Sequence, residues 1–253
     1  MRVIGWTFPV LVRGDPGAGG PATLTVEWRL SEDITPEDLK TRADQLACVG
    51  TWWCKLVDAG GGGGDTIPPD QCAATLSAQD PERLPNRLTW SLETLRVDPR
   101  ALTILFNLVL MAGLTVTGVS LRCSGGDIEL TLSPEDQPLM WPRIPFSLRL
   151  ELTDRNPNIE LEFGQDIPAA LRDTVEETLQ IWALVGNLGG FRNAVPSEER
   201  SQITPTDDVH FEFDLVVLPV RDFGAHTVAY DVLTNLAVKL ASSVLPVRSL
   251  EIA

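Results

Sequence analysis

The chain has 253 residues, of which 43% are hydrophobic, and this is enough for one large core or two modest ones. Its 35 acidic and 20 basic side chains give a formal net charge of -15, which would repel the phosphate backbone of a nucleic acid. We therefore expect no direct binding of nucleic acid.

The first half of the chain begins with a predicted hairpin and a helix. Residues 8–12 and 23–28 are predicted strands, since apolar and polar residues alternate in the second with the period of a half-buried strand. Thr35 comes before Pro36 and two acidic residues, which is a typical start of a helix.

The predicted helix runs into Trp52 and Trp53 and is followed by a long polar loop over 59–85. Adjacent residues on a helix cannot face the same core, so we expect one tryptophan to be exposed, where it would anchor a partner or line a pocket. The alternative is that both pack in the core or against the loop. The tract 60–64 consists of glycine but lacks the Gly-Lys-Ser/Thr ending of a phosphate loop, and it predicts a flexible linker.

Three further elements are predicted in the first half. Residues 86–92 and 119–123 have the pattern of strands, and residues 99–112 form a helix that is apolar nearly all round and therefore central to a core. An extra strand over 128–132 follows a hairpin turn, and the proline-rich and acidic stretch 133–138 is the predicted linker.

The second half repeats this succession of patterns with low identity. The matching segments are strands at 144–148 and 158–163, a helix starting at 167–171, a loop at 186–206, a strand at 209–215, a helix at 225–242 and a strand at 248–252. Convergence of two ordinary patterns is the alternative to a duplication.

These elements predict an α+β fold made of two tandem, pseudo-symmetric β-β-α-β-α-β units. Each unit would have a mostly antiparallel sheet with helices packed on one face, so the two apolar surfaces would cover each other. The first unit spans 1–132, including the extra C-terminal hairpin strand, and the second spans 139–253, with 133–138 between them.

The strongest chemical candidate is the segment 207–214. On a strand, His210, Glu212 and Asp214 would project from one face, where they could act as acid-base groups. Asp208, His210 and Glu212 are the candidate metal ligands. The alternative interpretation is a solvated polar face without a site.

Other signals for chemistry are weak. Four cysteines occur without Cys-x-x-Cys spacing or nearby histidines, so we expect reduced thiols and no zinc site. The second histidine, His226, lies near the start of a helix, where a neutral or solvent-facing role is expected. No secretory signal and no apolar run long enough to span a bilayer are evident, so we expect a cytoplasmic protein without membrane contact.

The acidic charge lies mainly in the second half. Residues 1–123 carry 11 basic and 14 acidic groups, a net charge of -3, whereas residues 124–253 carry 9 and 21, a net charge of -12. Such a surface provides solubility or docks a basic partner. Asp207, Asp208, Trp52 and Trp53 are the candidate partner-binding residues.

The sequence favours a non-enzymatic protein-interaction protein, such as an adaptor, a chaperone or an immunity-like protein. It would bind another, basic protein through its acidic surface and long loops, and it needs no cofactor. The alternative is a metal-dependent enzyme or a small-ligand binder with a pocket at the junction of the two units.

Overall fold

The structure, a computed structural model, describes most of the chain. The described residues are 8–30, 35–77, 82–124, 129–130, 139–151, 156–191, 203–222 and 227–253. Helices and mixed sheets make up these residues, which confirms the α+β class. Both the predicted linker 133–138 and His226 lie outside the described residues.

The elements of the first half form one sheet and two long helices. In chain order they are β1 (Val10–Arg13), β2 (Ala22–Trp28), α1 (Pro36–Leu56), β3 (Ala73–Leu76), β4 (Glu82–Leu84), β5 (Arg87–Arg96), α2 (Leu102–Met111), β6 (Val116–Cys123) and β7 (Glu129–Leu130). Short helical turns occur at Val57–Gly61, Pro69–Gln71 and Pro99–Ala101.

The second half contributes a second sheet and two helices. They are β8 (Ser147–Leu150), β9 (Asn158–Phe163), α3 (Ala169–Asn187), β10 (Ile203–Pro205), β11 (His210–Glu212), β12 (Leu215–Asp222), α4 (Val228–Ser243) and β13 (Val247–Ile252). Within the described residues, no helix combines the length and apolarity needed to cross a bilayer.

In the first sheet the strands follow the order β3-β5-β2-β6-β1-β7, and β4 also pairs with β5. All pairs between the described strands of this sheet are antiparallel except β1 with β6. The edge strand β7 pairs with β1 and not with β6, so it is an extra strand but not the second arm of a hairpin.

The second sheet has the order β10-β12-β9-β13-β8, and β11 also pairs with β12. Among the described strands of this sheet, the single parallel pair is β8 with β13. In both sheets, therefore, a central strand has antiparallel neighbours on both sides, and the first strand of the half lies parallel to the last long one.

The helices cover one face of each sheet. In β2, Leu24 and Val26 are buried while Thr23 and Glu27 on the opposite face are exposed, as a period of two requires. Helices α1 and α2 contact the first sheet, α3 and α4 contact the second, and α1 also contacts α3. The buried apolar side chains of both halves form one continuous cluster.

The local sequence signal predicts the start of α1 well. The Thr35 hydroxyl accepts a hydrogen bond from the Asp38 main-chain N–H at 3.1 Å, and Pro36 is the first helical residue, as expected from this motif. Helix α2 is buried nearly all round, which confirms its predicted place in the core.

The predicted strand 209–215 is wrong, because a turn interrupts it. Residues 210–212 form β11, Phe213 and Asp214 form a two-residue turn, and the long core strand is β12. The alternation of Phe211 and Phe213 with polar residues continues through the turn and hides it, since no glycine or asparagine marks the reversal.

The flexible linker predicted at 60–64 is also wrong. All five glycines are buried, and Gly60 has a φ of 106°. A Cβ atom on Gly60 would lie 2.7 Å from the Cβ of Lys239 in α4, so only glycine permits this close approach of the two halves. The tract is therefore an ordered contact surface between the halves.

Asp98 fixes the glycine tract through its main chain and fixes the residues next to the tract through its buried carboxylate. This carboxylate accepts hydrogen bonds from Thr66 and from the Arg100 guanidinium, and the Asp98 main-chain N–H donates to Gly62 O at 2.9 Å. Burial acts to raise the pKa of Asp98, but the hydrogen bonds from Arg100 and Thr66 outweigh it and keep the pKa below its ordinary value.

Candidate functional site

The hairpin of β11 and β12 carries the polar residues singled out in the sequence. Its two-residue turn is fixed to the rest of the second sheet by two main-chain bonds. Ile167 N–H donates to Phe213 O at 2.9 Å, and Phe163 N–H donates to Asp214 O at 2.7 Å. The tip of the hairpin therefore has a defined position, and so do the side chains that it presents.

Phe213 lies at the tip of this hairpin, and both its backbone conformation and its exposure are unusual. Among the described residues it is the one non-glycine residue with positive φ, at 51°. Its side chain is 78% exposed, more than that of any other described large hydrophobic residue. Two-residue hairpins usually place glycine or asparagine at such a position, so neither turn geometry nor burial accounts for phenylalanine here.

The polar groups of the segment lie at the surface. Asp207, Asp208, His210 and Glu212 are exposed, and Asp214 is half-buried. His210 Nε2 lies 3.3 Å from Asp207 Oδ2, while Asp207 Oδ1 accepts a hydrogen bond from the Asp208 main-chain N–H at 2.9 Å. The Asp208 bond and the contact with His210 hold the pKa of Asp207 below its ordinary value.

This arrangement gives little support to a metal or acid-base site. The described residues contain no group of three or more His, Cys, Asp or Glu side chains placed to hold one metal ion. Asp208, His210 and Glu212 thus gain no support as ligands, and a catalytic role of His210, Glu212 and Asp214 stays a prediction.

A cation-π contact anchors the hairpin to the neighbouring helix. The Arg172 guanidinium of α3 lies 5.5 Å from the centre of the Phe211 ring. Phe211 is half-buried beneath it, whereas Phe213 two residues further on points away from the core. The two phenylalanines therefore differ: Phe211 packs under Arg172 and stabilises the hairpin, whereas Phe213 is exposed to solvent.

The adjacent tryptophans of α1 face different environments. Trp53 is buried in the core, and Trp52 is half-buried and lines a groove of about 720 Å³. The groove lies between α1 of the first half and α3 and α4 of the second. The acidic segment 207–214 contributes no residue to it.

Asparagines in two core helices join the halves, and sequence analysis did not identify this role. Asn235 of α4 is fully buried, donates to Gly63 O at 3.1 Å and to Leu139 O at 3.0 Å, and accepts from Trp141 N–H at 2.8 Å. Asn107 of α2 donates to Gly190 O at 3.0 Å. The available signal was an amide side chain among apolar residues, in the nearly all-apolar α2 and on the buried face of α4.

Two of the cysteines, Cys54 and Cys72, are buried structural thiols. All four are free, and burial raises the pKa of Cys54 and of Cys72 to about 12. The Cys72 thiol donates to Pro68 O at 3.4 Å, as a structural core thiol would.

Comparison of the chain with models of known protein families found no match, and comparison with curated protein sequences found none either. Function is therefore inferred from the surface and the interior of the molecule itself.

Proposed function

We propose that this chain is a non-enzymatic protein-interaction protein that binds a basic partner through the hairpin of β11 and β12 and the acidic residues that precede it. Phe213 at the tip would be the apolar anchor, with Glu212 beside it, and Asp207 and Asp208 before β11 would add negative charge to the contact surface. The observation that carries the proposal is the exposed, positive-φ state of Phe213.

This state is unfavourable for the free molecule in two ways. A left-handed backbone conformation costs about 1–2 kcal/mol for a residue with a Cβ atom. An exposed phenylalanine also forgoes the ~1.5–3 kcal/mol that its burial would contribute. Because the turn itself would favour glycine or asparagine, a contact outside the chain explains the phenylalanine better than the fold does.

The charge of the surroundings indicates the kind of partner. The hairpin belongs to the half with a net charge of -12, and its carboxylates are exposed. A partner with a pocket for an aromatic ring and a rim of lysine or arginine would match this surface, since aromatic anchors supply affinity and peripheral charges supply association rate. The four free cysteines support a reducing, cytoplasmic site of action.

The test immobilises the wild-type chain and its variants and measures how much partner protein each one retains from an extract of the source cells. The wild-type chain is expected to retain a defined basic protein, and a Phe213→Asn variant is expected to lose it by a factor of ten or more, on the order of 1.4 kcal/mol. Retention should also fall steeply with added salt, because the charged rim is screened. The same variant should unfold at an equal or higher denaturant concentration than the wild type, since asparagine tolerates the left-handed conformation.

A matched control is Leu150→Asn, which removes another exposed apolar side chain of the second sheet, 40% exposed on β8. It should retain the partner. If Phe213→Asn and Leu150→Asn capture the same proteins to the same extent, the hairpin tip is not the binding surface.

We also infer that the two halves derive from one repeated unit. Four correspondences support this: the shared order of strand pairing, the buried Trp53 and Trp182 in α1 and α3, the positive-φ Gly60 and Gly189 that follow them, and the bridging Asn107 and Asn235. Each bridging asparagine donates to the glycine-rich turn of the other half. A true repeat requires that these pairs coincide when the halves are superimposed.

The alternative enzyme proposal, with Asp207, His210, Glu212 and Asp214 in a junction pocket, has less support. These residues lie on the hairpin, while the junction groove is lined by other side chains.

A further inference from the structure

The groove between the halves combines an apolar floor with an unusual concentration of lysine. Trp52, Ile181, Leu184, Leu240 and Val244 supply apolar surface from three different helices. Its volume of about 720 Å³ is in the range of small-molecule sites, ~300–1,000 Å³.

Two of the three lysines in the chain, Lys55 and Lys239, line this one groove. The third, Lys40, lies elsewhere on α1. The chain has a net charge of -15, so its average surface is negative, whereas in this groove the two lysines balance the two acidic residues of the lining.

Lys239 is the more informative of the two, because it is half-buried. Its stem lies against Gly60, and its ammonium donates to the main-chain oxygen of Asp70 at 3.3 Å. No carboxylate lies within ion-pair distance of Lys239 among the described residues. The ammonium therefore lies beside an apolar surface without a described carboxylate partner, and an anion that pairs with it while its apolar body covers that surface would be partly shielded from water, which strengthens the pairing.

The groove also carries two acidic residues, Asp58 and Glu177, but both are exposed. An anion that pairs directly with an ammonium would lie closer to it than to either carboxylate, and water screens the more distant repulsion, so the attraction is the stronger of the two. We propose that the groove binds a small amphipathic carboxylate, whose anionic head pairs with Lys239 and whose apolar body lies on Trp52 and Ile181.

The experiment is isothermal titration of the whole chain with two eight-carbon probes of opposite charge, octanoate and octylammonium, of which octylammonium has the slightly longer apolar chain. The wild-type chain is expected to bind octanoate at least about tenfold more tightly than octylammonium. Lys239→Met keeps the length of the stem against Gly60 and removes the charge, so it should weaken octanoate binding about tenfold or more.

Two controls separate the site from general charge effects. Lys40→Met removes the same charge outside the groove and should leave octanoate binding unchanged. Phe213→Asn should also leave it unchanged, because the groove and the hairpin are separate surfaces. If Lys239→Met does not fold, Lys55→Gln on the exposed rim is measured instead, and a weakening of threefold or more is expected.

Three results would each overturn the proposal. They are the absence of octanoate binding to the wild-type chain, octylammonium binding as tight as that of octanoate, and equal octanoate affinities in the Lys239→Met and Lys40→Met variants.

Discussion

Gly60→Ala is expected to lower the free energy of unfolding by about 3 kcal/mol or more, one of the largest effects of any single substitution in this chain. The φ of 106° is strained for any residue with a side chain, and the new Cβ would lie 2.7 Å from Lys239 Cβ and 3.2 Å from Asn235 O. Helix α4 would have to move away from the glycine tract, and the contact between the halves would loosen. Urea unfolding followed by circular dichroism measures the change.

Gly118→Ala is the matched control. Gly118 lies in β6 and has no positive φ, and no heavy atom lies within 4 Å of the Cβ that alanine would add. This substitution is expected to change the free energy of unfolding by less than about 1 kcal/mol. Equal, small effects of the two substitutions would mean that the tract 60–64 is not packed against α4.

The glycine tract shows what the sequence could not predict. Five consecutive glycines have the same local signature in a flexible linker and in a close contact between elements, because glycine permits both. The distinction depends on Lys239 and Asn235, which are more than 170 positions away in the chain. The groove could not be predicted from the sequence for the same reason, since Lys55 and Lys239 come together only after both halves have folded.

Elements with strong local signals were predicted well. Thr35 and Pro36 fix the start of α1, and alternating apolar residues located β2 and β9, the latter with its observed bounds. The predicted strand at 209–215 was wrong for a physical reason, since Phe213 occupies a turn position without turn chemistry. The proposed binding role rests on the same mismatch.

Asn235→Leu is expected to destabilise the chain by about 3–5 kcal/mol. Leucine has a similar shape but cannot hydrogen-bond, so Gly63 O, Leu139 O and Trp141 N–H would lose their partner. Each unsatisfied buried polar group costs about 1–3 kcal/mol. The loss should appear as a lower midpoint in urea unfolding with little change in slope.

The control is the neighbouring residue in the same helix. Thr234 is equally buried, and its hydroxyl donates to Tyr230 O within α4 at 2.8 Å. Because that carbonyl belongs to the helix itself, Thr234→Val is expected to cost about 1 kcal/mol or less. An Asn235→Leu effect no larger than that of Thr234→Val would contradict a role of Asn235 in joining the halves.

The ordered contact of the halves at Gly60–Gly64 is the basis of the junction, of the groove and of the position of Lys239. Amide hydrogen exchange of the native chain tests it most directly, because the Gly63 and Gly64 N–H groups donate to Gly60 O and Ile67 O at 3.0 Å in a buried setting. We predict that these two amides exchange more than about a thousandfold more slowly than in an unstructured peptide. Exchange at the unstructured rate would show a free loop and would contradict the account.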